Sequence, residues 1–327
     1  MLFIKLTEII NKKVNVVRKD LYEMFRENFP FIIRDNNTAM NILSDPNNKV
    51  IEKRNEDRDL IGVSVINKNT IYMLCVNKEY RHKGIGTWLL NESENYILSK
   101  GYDKVIIGAG DSYLMPGIPM RSKPYIETLK EDKIYDDVTD EANEFFTKKG
   151  YTHSWKDCNC FDMKSDYSKI EFPDWKIGDT IDGITYRWAT INDIPSIIKC
   201  TDDAHQKFSK YYKDKSIYSI NGEKRVLIAL DGNEVCGTLM VCKDEAEEKG
   251  IGSVGCTTVK NNHQGRHIGV NMVILGNKVL KDEGIKEGYL GYTYSGLDKM
   301  YGYAGYKICI YYNMAQKQLV LDKNKTK

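Results

Sequence analysis

The sequence predicts a mixed α/β fold, a sheet of mixed strand direction carrying helices, built twice in tandem. Three observations predict it. A buried-type strand, a basic glycine-containing loop and a helix follow one another between Ile71 and Ile107. The unit returns between Val254 and Tyr292 at an offset of 183 residues, Gly86 matching Gly269 and Gly101 matching Gly284, so loop and helix keep their lengths. A chain of 327 residues also has the length of two ordinary domains. A repeat of this size means two copies of one fold rather than a solenoid. The expected domains are 1–165 and 181–327, with 166–180, which holds Pro173 and Gly178, as the linker.

In chain order, the stretch from Met1 to Asn48 reads as mostly helical, amphipathic from Val14 to Phe29 and stopped at Pro30. Lys49 to Lys53, Leu60 to Ile66 and Ile71 to Val76 are short β-type runs between charged or Asn-containing turns, an antiparallel meander. Thr87 to Lys100 is a helix closed by Gly101, and Lys104 to Ile107 a further strand. Residues 108–119 hold too much glycine and proline for regular structure and read as a long loop. Thr139 to Lys149 is a helix ended by Gly150, and Tyr151 to Met163 one or two strands. In the second half Val254 to Val259 is a strand, Val270 to Glu283 a helix and Gly288 to Tyr292 the next strand. Beyond it the offset falls to 155, Gly305 answering Gly150, because the proline-rich insertion belongs to the first half alone.

Composition narrows the classes. Lys plus Arg (48) against Asp plus Glu (46) leaves a formal charge of +2, which gives no support to nucleic acid or an anionic membrane as the main partner. No apolar run approaches membrane-spanning length, and Met1 to Lys5 does not open a signal peptide, so a cytoplasmic protein is expected. Eight cysteines in apolar stretches without a C-x-x-C pair read as reduced thiols. Cys158 and Cys160 lie near His153, but no second ligand pair has zinc spacing, so no metal is expected. The polar end, residues 322–327, is expected to fray.

The chemistry concentrates in the two loops. Arg81-His82-Lys83-Gly84-Ile85-Gly86 lies between a strand and a helix, where main-chain N–H groups and the positive end of the helix dipole hold phosphate. The alternative is a tight turn with no ligand. The loop and its repeat resemble the GCN5-related N-acetyltransferases (GNAT) in their tandem form, over nearly the whole chain. The family's pyrophosphate loop, Arg/Gln-x-x-Gly-x-Gly/Ala, is matched by Arg81 to Gly86 at every specified position. The family's Tyr-x-x-x-Gly-Phe is matched by Tyr301 to Tyr306, with Tyr306 in the Phe slot. The resemblance implies two tandem acyl-CoA N-acyltransferase domains and acetyl-CoA as co-substrate. It implies coenzyme contacts at Cys75, Val76, Arg81, His82, Lys83, Gly84, Ile85, Gly86 and Thr87. In the second half they fall at Thr258, Val259, Gln264, Gly265, Arg266, His267, Ile268 and Gly269. Tyr301 becomes the acid that protonates the departing thiolate, against the plainer reading of a core tyrosine among 22.

Each half departs from the family pattern. Phe146 stands in the tyrosine slot of the first, and a phenyl ring donates no proton; His267 replaces the first loop glycine in the second. The first half therefore reads as the better coenzyme binder and the second as the better catalyst. An oxyanion donor is expected among the main-chain N–H groups of Cys256 to Thr258. The base stays open among Asp111, Asp202, Asp203, His205 and His263, each also readable as an ordinary surface or core residue. Tyr289, Tyr292 and Tyr294 read as packed strand residues, with Tyr292 or Tyr294 able to face an acceptor. The expected activity is acetyl transfer to a primary amine of a small molecule, at a groove between domains, by a monomer or homodimer. Two alternatives stand: a non-catalytic acetyl-CoA sensor, and a protein lysine or N-terminal acetyltransferase.

Overall fold

The computed structural model describes residues 17–34, 36–108, 114–123, 138–204, 207–244 and 250–320. The expectations for Met1 to Lys5, Asp111, His205 and the terminal residues 322–327 lie outside them. The chain forms two compact units, one drawn from residues before 160 together with residues from 311 onward, the other from residues 160–310.

In the first unit, Leu21, Met24 and Phe25 form the buried stripe of α1 (Lys19–Asn28), and Ala39 and Leu43 that of α2 (Asn36–Leu43). β1 (Lys49–Arg54), β2 (Leu60–Asn67) and β3 (Thr70–Val76) are an antiparallel meander, and six consecutive residues of β2 are buried. α3 (Ile85–Ser99) crosses over to β4 (Lys104–Ile107), which is parallel to β3 through only Thr70↔Ile106 and Ile71↔Ile107. Ile118–Met120 is a short strand, β5, antiparallel to Tyr311–Asn313, although the sequence reads as an irregular loop there. Pro119 is tolerated because β5 ends its sheet and one flank needs no ladder donor. α4 (Glu141–Lys148) and β6 (Thr152–His153) complete the first half.

The sheet order is β1-β2-β3-β4-β15-β6, so the strand between β4 and β6 is β15 (Ala315–Gln318), from the far end of the chain. Ala315 and Leu319 enter the core with Ile97, Val105 and Phe146. Lys317 on β15 pairs with Glu94 on α3 at 2.8 and 2.9 Å, and the Tyr151 hydroxyl donates to the same carboxylate at 3.0 Å.

The second unit repeats the plan. β8 (Thr180–Ile181), β9 (Ile184–Trp188), β10 (Lys224–Asp231), β11 (Glu234–Cys242) and β12 (Ile251–Val259) are antiparallel neighbours, with α5 (Ile194–Asp203) between β9 and β10. α6 (Ile268–Asp282) leads to β13 (Glu287–Tyr294), parallel to β12 through only Ile251↔Glu287 and Gly252↔Gly288. After α7 (Asp298–Gly302) comes β14 (Lys307–Asn313), whose first four residues belong to this unit and last three to the first. Between β13 and β14 lies β7 (Cys160–Asp166). Each unit thus takes one inner strand from beyond the cut that the repeat suggests.

The stretch read as a linker is in part core. Tyr167 is buried, its hydroxyl on Asn277, which also receives the Tyr306 hydroxyl at 2.8 Å. Gly288 covers these hydroxyls so closely that a Cβ there would stand 2.6 Å from Tyr167 Oη and nearer still to Tyr306 Oη. Gly288→Ala is therefore expected to cost about 1–3 kcal/mol by overpacking, read as a lowered denaturation midpoint with unchanged slope. A midpoint within experimental scatter of wild type would show that the hydroxyls yield freely.

Candidate active site

The two loops have one backbone despite their different sequences. A short 3-10 turn precedes each, Lys78–Tyr80 and Asn261–His263, and a fifteen-residue helix follows. In the first loop the left-handed positions are His82 (φ 59°) and Gly84 (φ 80°); in the second they are Gly265 (φ 80°) and His267 (φ 58°). Glycine and histidine have exchanged places, and His267 takes the conformation of Gly84. The sequence overstates this departure, since histidine enters the left-handed region more readily than most residues. Each loop opens a helix whose first N–H groups have no partner within the helix, an arrangement able to accept an anion.

The side chains differ more. Arg81 braces the first loop, Nε to Val76 O at 3.0 Å and Nη2 to Asn28 Oδ1 at 3.2 Å. Gln264 reaches the matching carbonyl of Val259 at 3.5 Å and Asn261 Oδ1 at 3.2 Å. Lys83 lies 5.1 Å from the Tyr80 ring centroid, and His82 Nε2 is 3.1 Å from Glu141 Oε1. Arg266 is held by Asp231 at 2.7 Å, with His263 Nε2 3.3 Å from the same oxygen. Ile85 packs under Gly62, and Ile268 is buried against Gly237.

A cleft of about 500 Å³ opens on the first loop, bounded by Cys75, Val76, Arg81, His82, Gly84, Gly86 and Thr87 and continued by aromatic and aliphatic side chains. The loop and this cleft fit a coenzyme that is anionic at one end and slender beyond it. Cys75 is buried and its thiol is pushed up to about 12, so it is no nucleophile near neutral pH. Phe146 meets Tyr151 edge-on at 5.4 Å, and Leu74 packs on their cluster.

At the matching place in the second unit, Tyr301 meets Tyr306 at 6.0 Å and its hydroxyl lies 3.4 Å from Thr257 Oγ1. The polar pair Thr257 and Tyr301 stands where the first unit has Leu74 and Phe146. β12 bulges here: the pairing with β11 jumps between Thr238 and Met240, and Cys256 has φ 50°. Tyr212 buttresses the bulge by donating to Cys256 O at 2.8 Å, and Thr258 Oγ1 donates to the same carbonyl at 3.3 Å. A bulge removes main-chain N–H groups from the ladder, as an oxyanion donor requires. β13 carries its own bulge at Tyr292 (φ 60°), whose N–H donates to Asp162 Oδ1 at 2.8 Å; Tyr289 donates to Oδ2 of this buried carboxylate. Tyr294 is exposed.

Among the described residues, the candidate bases Asp203 and His263 have partners other than Tyr301. Asp203 accepts the Asn261 N–H at 2.9 Å and so ties α5 to the loop, His263 is held by Asn262 and Asp231, and Asp202 is exposed. The groups that bear on Tyr301 are Thr257, Cys256 and Tyr294. Sequence reading missed the Thr257 side chain, Tyr212 and Asp162. Thr257 and Thr258 side by side in an apolar strand were the available signal; Tyr212 and Asp162 gave none. His153 uses both ring nitrogens, on Asn313 Oδ1 and Cys158 O, and among the described residues no group of three or more metal-ligating side chains converges.

Residues 17–114 match the model of the acetyltransferase (GNAT) family. A tandem GNAT protein from the clavulanic acid biosynthesis pathway superimposes with a TM-score of 0.64 at 10% identity, covering 96% of this chain and 97% of that one. The chain has the fold of tandem GNAT proteins, and residues 17–114 match that family's model. A GCN5-related N-acetyltransferase from Sphaerobacter thermophilus gives 0.57 at 17% identity, covering 83% and 80%. The GCN5-related glucosamine N-acetyltransferase region of a fungal multi-domain GH3 β-N-acetylglucosaminidase gives 0.66 at 18% identity, covering 91% of this chain but 36% of that one, so this chain spans about a third of its length. No curated protein sequence matches the chain. No described helix is long and apolar enough to cross a membrane.

The second unit is also rich in buried tyrosines. Burial pushes Tyr186 and Tyr301 up to about 12, and Tyr212 well above its ordinary value. The folded state keeps these protons above pH 10, where an unfolded chain releases them, so their contribution is complete below about pH 10 and lost as pH rises through their folded values. Stability is expected to fall from pH 10 upward by as much as about 1.4 kcal/mol per pH unit for each such tyrosine. Denaturant titrations at pH 9, 10 and 11 check this, and a constant midpoint would contradict it.

Proposed function

We propose that this protein is an acetyl-CoA-dependent N-acetyltransferase whose turnover takes place in the second unit, with a small-molecule primary amine as acceptor. The observation that carries the reading is the buried Tyr301 hydroxyl 3.4 Å from Thr257, at a bulged strand beside a loop with phosphate-binding backbone. Acetyl-CoA supplies the activated acetyl group. Gly265 to Gly269 hold its pyrophosphate by main-chain N–H groups, the bulge at Cys256 offers N–H groups to the carbonyl oxygen, and Tyr301 gives its proton to the leaving sulfur.

The magnitudes permit that proton transfer. Tyr301 at about 12 stands well above an ordinary thiol, but the neighbouring Cys256 thiol is pushed up to about 11 by the same burial. The same burial would raise a thiolate leaving in this place, which narrows the gap between it and the tyrosine. General-acid help of about 10²–10⁴-fold remains available.

The small-molecule acceptor draws support from two of the similar structures, one named for glucosamine N-acetylation and one from the clavulanic acid biosynthesis pathway. Eight free cysteines favour a reducing compartment, and we place the enzyme in the cytoplasm.

Calorimetric titration with acetyl-CoA tests the reading. Wild type is expected to bind two equivalents and Gly86→Glu one, because a carboxylate in the first loop repels the pyrophosphate while the second loop is untouched. If the mutant binds none, the second unit holds no coenzyme and the proposal falls.

A further inference from the structure

We propose that the first unit's cleft is a non-reacting site for an acyl-coenzyme A whose acyl group is a hydrocarbon chain longer than acetyl. This rests on the coenzyme reading of the Gly84 to Gly86 loop and adds what lies beyond the pyrophosphate. The walls there are Phe29, Phe31, Leu74, Val138, Phe145 and Phe146. A single acetyl methyl leaves most of that apolar surface to water, whereas each further methylene removes some of it.

Among the described residues, the pair Thr257 and Tyr301 of the second unit has no polar counterpart here. Leu74 and Phe146 occupy the places of Thr257 and Tyr301, and neither can donate a proton. Two polar side chains on the walls, Asn28 and Glu141, have partners of their own. Asn28 donates to Met24 O and Asn77 Oδ1 and accepts from Arg81, and Glu141 faces His82. The Cys75 thiol is buried in the strand. Such a pocket recognises the thioester by shape and apolar contact, then keeps it. It would report the supply of medium-chain acyl-coenzyme A to the chain that carries the second, reactive unit.

The experiment is calorimetry on the full chain with two probes, acetyl-CoA and hexanoyl-CoA, in wild type, Gly86→Glu and Thr87→Glu, together with colorimetric measurement of released thiol. Gly86 has room for a side chain, since a Cβ there meets Phe145 at 3.8 Å, an ordinary contact, and Thr87→Glu places the repelling charge one residue on should the first variant not fold. The expected result is a site lost in the variants that holds hexanoyl-CoA at least tenfold more tightly than acetyl-CoA and releases no thiol of its own. Equal or weaker hexanoyl binding at that site overturns the proposal and leaves the coenzyme reading standing. Thiol release that disappears in the variants overturns it too, by showing that the site reacts. If neither thioester binds at a site sensitive to these substitutions, the coenzyme reading of the first loop falls as well.

Discussion

Tyr301→Phe is expected to lower kcat for acetyl transfer by about 10²–10⁴-fold while leaving KM for acetyl-CoA within a few-fold of wild type. The ring stays: it is buried at 6% exposure against Tyr306, and phenylalanine keeps the same edge-on contact. Only the hydroxyl goes, and its contact with Thr257 is at the long distance of 3.4 Å, so the stability change should stay within about 1 kcal/mol. A large kinetic loss with little thermal change separates a proton donor from a core tyrosine. The pH profile sharpens the test. Because burial holds the hydroxyl at about 12, Tyr301 remains a protonated donor through pH 10, and no alkaline decline in kcat below that pH should be traceable to it. If Tyr301→Phe keeps kcat within threefold of wild type, the acid assignment is wrong and the polar pair at this strand is structural.

Separate expression of residues 1–165 and 181–327, the two halves that the repeat suggests, is expected to yield two chains that do not fold. The first lacks β15, whose Ala315 to Gln318 pair with β4 on one side and whose Ala315 and Gln316 pair with β6 on the other. It also loses Leu319 from its core and the Lys317 partner of Glu94. The second lacks β7, and with it Asp162, which holds the N–H of Tyr292, and Tyr167, which packs over Asn277. Each fragment would expose ladder groups on both flanks of the gap, a condition that favours aggregation. Co-expression of 1–170 with 171–327 should restore folded protein, because every strand is then present. Dispersed amide spectra and a cooperative melt from either fragment alone would show that the inner strand is dispensable.

What could be read without the fold was what short-range chemistry dictates. Apolar runs placed β1 to β4, β12 and β13 within a few residues, while β8 to β11, β14 and β15 were not read; Gly101 and Gly284 marked two helix ends, and equal spacing revealed the repeat. Its limits appear at particular residues. His267 looked like damage to a loop, yet the backbone it must adopt is one that histidine tolerates, and a single residue letter does not carry φ. Thr257 could be seen as polar but not as the partner of Tyr301, 44 positions away.

Ile118–Met120 was hidden by Pro119, because proline forbids a central strand but not an edge. The sequence alone therefore determined the fold class, the duplication and the two loop positions, all set by local periodicity and by where glycine is needed. Only the tertiary structure decided which strand completes which sheet. Ladder hydrogen bonds are made by the backbone, which is the same in every residue, so β7 and β15 carry the mark of a strand but not the name of the neighbour they will join.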